Sequence, residues 1–122
     1  MKVLLLIAHG SRREAANNEV RELTDRIQQH NANEYEAVVP AFLEFARPDI
    51  GGGIDDCVKM GAKEITVVPY FLSLGAHVER DIPGALDIAS ARYPEIKLHL
   101  KRHFGATEGL VEFVINCAGP VS

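Results

Sequence analysis

The chain has 122 residues, the length of one domain, with 47% hydrophobic and 25% charged residues. The formal net charge is −4, and nothing in the sequence suggests the basic patch that a nucleic-acid binder needs. No apolar stretch reaches a membrane span, and residues 3–8 run into Arg12, Arg13 and Glu14 with no small-residue cleavage site, so the expectation is a cytoplasmic protein without signal or anchor.

Residues 2–8 form an apolar run, the pattern of a strand buried on both faces. From Arg12 to His30 the period becomes helical, with Ala16, Val20, Leu23 and Ile27 on one face. Ser11 is the expected N-cap, and Glu14 would complete a capping box. Residues 31–34 are a polar turn. Residues 35–43 read as a second strand, and Pro40, which lacks a ladder donor, predicts an edge position. Asp49 to Met60 is helical, with Ile50, Ile54 and Val58 inward and Gly61 as its stop. The triplet Gly51-Gly52-Gly53 weakens its start, because each helical Gly costs about 1 kcal/mol relative to Ala, and favours a beginning at Ile54.

A third strand is predicted over 64–72, then a helix over 81–92 with Asp81 as N-cap, Pro83 in the first turn and Ile82, Leu86 and Ala89 buried. Tyr93-Pro94 ends it. Ile96, Leu98 and Leu100 alternate with Lys97, His99 and Lys101, predicting a half-exposed fourth strand. A last helix over 107–117 would turn Leu110, Val114 and Cys117 inward and stop at Gly119-Pro120. Cys57 and Cys117 have no metal or redox spacing and read as buried free thiols.

Strands alternating with helices imply one α/β module over residues 1–122, a four-stranded parallel sheet covered on both faces. The common flavodoxin-type order 2-1-3-4 makes strands one and three neighbours at the switch point, where such sheets bind ligands beyond their carboxyl ends. His9 follows the first strand and His77 lies a few residues after the third, so both are predicted to meet in one crevice. Two neutral imidazoles suit Co²⁺, Ni²⁺ or Fe²⁺. They are too few for a closed structural site and would hold a metal loosely. His30 and His99 read as solvated positions, and His103 falls at the sheet edge.

Three stretches, LLLIAHGSR, AFLE and VVPYFLSLGAHVERDIP, resemble the small class II tetrapyrrole chelatases, the short CbiX/SirB-like proteins that insert a metal into sirohydrochlorin. The likeness covers roughly residues 1–105, and the third stretch is the most specific. It implies that His9 and His77 contact the incoming metal and that Glu44 lies near the same pocket. Insertion removes two pyrrole N–H protons, so a base must stand close, and a neutral His or an ionised Glu44 can accept one. Sirohydrochlorin carries eight carboxylates; the helix N-terminus after His9, with Ser11, Arg12 and Arg80, would bind such an anion. Gly10, Ser73 and Gly75 complete the implied substrate contacts, the glycines through backbone geometry and close approach. The metal is substrate, so no permanently bound cofactor is expected. Longer relatives carry two such modules, and the likeness implies that this single module pairs as a homodimer, each copy supplying one wall of a cleft.

Two other readings fit parts of the chain. A histidine phosphatase also places a His after its first strand, but wants Arg immediately before it, where this chain has Ala8. A homologue that binds a tetrapyrrole or a metal without turnover would share the motifs; the tail after Arg102 departs from the family pattern.

Overall fold

In the computed structural model, which describes residues 1–30 and 34–121, the apolar runs form one parallel sheet of β1 (Lys2–Ala8), β2 (Ala37–Phe42), β3 (Glu64–Pro69) and β4 (Lys97–Leu100) in the order β2-β1-β3-β4. The expected order is therefore observed, and Pro40 lies on an edge strand. The outward N–H of Val38 is met by the Gln28 side chain at 3.0 Å, which covers part of that edge. Of the polar turn expected at 31–34, only Glu34 falls among the described residues.

The strand period of two divides the sheet. Val3, Leu5 and Ile7 stand in register with Ala41, Ile65 and Val67 and form the core with Ile50, Ile54 and Cys57 of α2 (Ile50–Lys59) and Val78, Ile82, Leu86 and Ala89 of α3 (Ala76–Arg92). The alternate positions Leu6, Ala8 and Val38 are also buried. They face α1 (Glu14–Gln29), which packs on β2.

The sequence misplaced this helix's inner face. Ala16, Val20, Leu23 and Ile27 are only half-buried, while Asn17 and Thr24 are fully buried. The line 17-21-24-28 faces β2 instead: Arg21 lies 5.2 Å from the Phe42 ring centroid and Gln28 reaches Val38. The apolar stripe is thus turned one position aside.

Three helix starts also differ. Ser11 is not the N-cap of α1; Arg13 holds that position, because the Asn17 side chain pulls the Ser11 backbone into a turn ahead of the helix. α2 begins at Ile50, before the three glycines, and the Asp49 side chain caps it by accepting from Gly52 N–H at 2.7 Å. A Cβ on Gly53 would stand 3.1 Å from Ala41 Cβ, so the lack of one lets α2 lie close on the sheet. β3 stops at Pro69, and α3 starts at Ala76 rather than at 81, with Pro83 inside it. Val78 extends the buried stripe one turn ahead of Ile82, and that burial outweighs the missing donor at Pro83.

The C-terminal part departs most. After β4 a short 3-10 turn, Phe104–Ala106, leads to α4 (Leu110–Ala118). Leu110 is half-buried, but Val114 and Cys117 are exposed, because α4 packs on that turn and not over the sheet. Only Cys57 is a buried thiol; both cysteines are free. Val111, Phe113, Val114 and Ile115 are each more than half exposed. No helix among the described residues is long and apolar enough to cross a membrane.

Candidate functional site

β1 ends at Ala8 and delivers His9 to the carboxyl edge of the sheet. The turn that follows depends on Gly10, whose φ is +90° and whose Cβ would stand 1.8 Å from the Glu44 carbonyl oxygen. The β1 and β2 ends are laced together there, with Leu43 N–H donating to Ala8 O at 3.0 Å and Glu44 N–H to His9 O at 3.1 Å. Asn17, 1% exposed, fixes the same turn from α1. Its Oδ1 accepts from Ser11 N–H at 2.9 Å and its Nδ2 donates to Ser11 O at 2.8 Å. Nδ2 also donates to Glu14. That bond, then the Arg21 guanidinium, hold the Glu14 carboxyl below its ordinary range.

The third strand's side is built by α3. Its earlier start puts His77 in the first helical turn, with Asp81 one turn on. His77 and Asp81 pair through Nε2 and Oδ2 at 2.8 Å, and His9 and Glu44 through Nε2 and Oε1 at 2.8 Å. Both imidazoles remain open to solvent, with His9 55% and His77 78% exposed at the side chain.

His9, Glu44, His77 and Asp81 line one cavity of about 280 Å³, with Asp49 and Gly51 from the start of α2 and an apolar floor of Leu43, Ile50, Val78 and Ala85. One imidazole from the end of β1 and one from the first turn of α3 thus share one opening, each facing a carboxylate. Among the described residues no three His, Cys, Asp or Glu side chains are gathered at metal-binding distance; the donors stand as two pairs.

The other expected contacts lie outside that lining. Ser11 Oγ accepts from Arg13 N–H at 3.0 Å. Arg12 is exposed, its guanidinium 5.0 Å from the Phe45 ring centroid. Ser73, Gly75 and Arg80 are exposed beside the start of α3. Gly75 has an ordinary φ of −75° and open space where a Cβ would be, so the close approach expected there is not made within the chain.

A second hollow of about 350 Å³ adjoins the first, sharing Leu43, Glu44 and Asp49 and adding Phe45, Ala46 and Arg47. Phe45 has φ +66° and is 52% exposed. A bulky residue in that region costs on the order of 1–3 kcal/mol.

The CbiX family model matches residues 3–118. The chain belongs to the CbiX family. It is 35% identical over 114 residues to a sirohydrochlorin cobaltochelatase of Priestia megaterium, covering 93% of this chain and 36% of that one. It is 32% identical over 113 residues to the sirohydrochlorin ferrochelatase of Bacillus subtilis, covering 93% and 42%. This CbiX-family chain therefore spans less than half the length of these relatives. The structure of SirB from Bacillus subtilis with Fe³⁺ superposes with a TM-score of 0.82 at 30% identity, over 98% of this chain and 48% of that one.

Sequence reasoning missed Asp81, Asn17 and Phe45 at the site. Asp81 was read as a cap, although His77 and Asp81 stand four apart, the spacing that pairs side chains on a helix. Asn17 and Phe45 carry no sequence signal, since their roles come from turns closed between distant segments.

Proposed function

We propose that this chain inserts a divalent metal ion into a sirohydrochlorin-type tetrapyrrole, with cobalt as the first candidate and iron and nickel as ions that the same donors accept. The observation that carries the reading is the shared cavity of His9 and His77, with Glu44 bonded to His9. Family membership and the two named relatives support the reaction type; one is a cobalt enzyme and one an iron enzyme.

In this reading the metal is a substrate. His9 and His77 offer imidazole nitrogens to it as it arrives, while the carboxylates of Glu44 and Asp81 orient the rings and balance charge. The macrocycle loses two N–H protons as the ion enters, and the balance is M²⁺ plus the free ring giving the metallated ring and two H⁺. Glu44, exposed and next to His9, takes a proton in passing to solvent. Few protein donors hold the ion, so it leaves them readily for four ring nitrogens. Gly10, Ser11, Arg12, Ser73, Gly75 and Arg80 surround the opening as the surface for the ring and its acid groups.

A second copy of this chain supplies the opposite wall. The reading is supported by α4, whose Val111, Phe113, Val114 and Ile115 are each more than half exposed, and by Tyr70 and Leu72, exposed on the loop between β3 and α3.

The test is metalation of metal-free sirohydrochlorin by Co²⁺ or Fe²⁺, followed by its visible spectrum. The wild type accelerates the reaction, His9→Ala and His77→Ala fall to the spontaneous rate, and Glu44→Gln loses about 10²-fold in kcat. Stoichiometric binding with no acceleration would instead mark a non-catalytic tetrapyrrole binder.

A further inference from the structure

Phe45 combines two features that do nothing for the fold. Its backbone sits in the left-handed region without being Gly, and its large apolar ring is 52% exposed. Backbone strain of this kind persists where the surroundings impose it, and it clusters at ligand-binding places. The surroundings here are the site itself. The segment 43–48 is closed by Phe42 N–H donating to Pro48 O at 2.9 Å, and it is tied to the His9 turn through Glu44 N–H and the Gly10 contact.

Glu44 meets His9, and the next residue turns its ring outward along the rim. Arg12, three residues after His9, lies 5.0 Å from that ring's centroid. The metal-side cavity, about 280 Å³, is at the lower limit of ligand pockets and cannot enclose a ring carrying eight acid groups. On the Glu44 side the cavity opens into the adjoining hollow, which Phe45 lines and which offers room for the rest of the ring.

We propose that Phe45 is a substrate-contacting residue: its ring packs against the conjugated macrocycle, and it holds the Arg12 guanidinium beside it for a peripheral carboxylate. A planar π system and a fork-shaped cation side by side match a flat, polyanionic ring. The inference rests on the chelatase reading and adds to it how the macrocycle is gripped.

The experiment titrates the full chain with metal-free sirohydrochlorin and measures Kd, the shift of the bound ligand's visible bands, and Tm for wild type, Phe45→Tyr, Phe45→Leu and Phe45→Gly. Phe45→Tyr keeps the ring and should bind within about twofold of wild type. Phe45→Leu should bind roughly tenfold more weakly, the size of one lost stacking contact, and lose part of the band shift. Phe45→Gly should bind at least as weakly as the leucine variant while its Tm stays level or rises, because glycine relieves the positive φ. Leucine and glycine variants that bind and shift like wild type would overturn the role of Phe45 and leave the chelatase reading standing. A wild type that binds no sirohydrochlorin would overturn that reading and this inference with it.

Discussion

Asn17 shows how much of the site depends on one buried amide. It is almost wholly inaccessible, and both ends of its side chain are spent on the Ser11 backbone. Asn17→Ala leaves that half-buried N–H and C=O without these partners and should cost about 1–2 kcal/mol of stability, measured by urea unfolding. It should also loosen the His9 turn, so kcat for metalation falls more than KM rises. The same substitution moves a titration. Asn17 is the largest influence holding Glu14 low, so in Asn17→Ala the Glu14 carboxyl returns part way toward its ordinary range in an NMR titration, Arg21 still acting on it. The sign follows: a depressed carboxyl stabilises the fold above its unfolded pKa, and this contribution is lost as pH falls through the folded one. The variant should therefore lose less stability on acidification than wild type. None of this was legible in the sequence. A polar residue inside an amphipathic helix looks solvated until the turn it closes is known, whereas the meeting of His9 and His77 was legible because the topology brings the segments that follow β1 and β3 to one switch point.

Elements were read well wherever burial and period agree. All four strands followed from apolar runs or strict alternation separated by helical patterns, and their order β2-β1-β3-β4 is the common one for such a sheet. The start of α3 was misread because Asp81 and Pro83 imitate a helix beginning, and the stripe through Val78, Ile82, Leu86 and Ala89 was the better guide. α4 was misread for another reason: an apolar stripe tells that a helix wants a partner and not which one. The two cysteines report this directly. Cys57 lies on the buried face of α2 with its thiol pushed up to about 11, first by burial and then by Asp56, while Cys117 is exposed on α4. Alkylation of the native protein at pH 8 should label Cys117 and spare Cys57. Equal labelling of both would mean that α2 is not packed as described.

For the whole molecule, the fold leaves several large apolar side chains exposed. Val111, Phe113, Val114 and Ile115 lie exposed on α4, and Val20 and Leu23 share a shallow hollow with Tyr70, rimmed by Glu19, Glu22 and Arg26, on the α1 side of the sheet. An exposed apolar helix face such as that of α4 is where a partner would be expected to dock. Light scattering should give the mass of a dimer for wild type, and Val114→Glu with Phe113→Ser should shift it toward 13.4 kDa with the far-UV spectrum unchanged. A wild type that is monomeric at all working concentrations would remove the second copy from the account.

The most direct test concerns the two imidazoles. In a Co²⁺ titration of ¹⁵N-labelled protein, long-range imidazole correlations should show the His9 and His77 ring nitrogens shifting and broadening together, at one common Co²⁺ concentration, while the exposed His99 ring remains unaffected. His9→Ala should abolish the response of His77 over that range. Separate titration of the two rings, or a ring that ignores the ion, would contradict a single metal held between them.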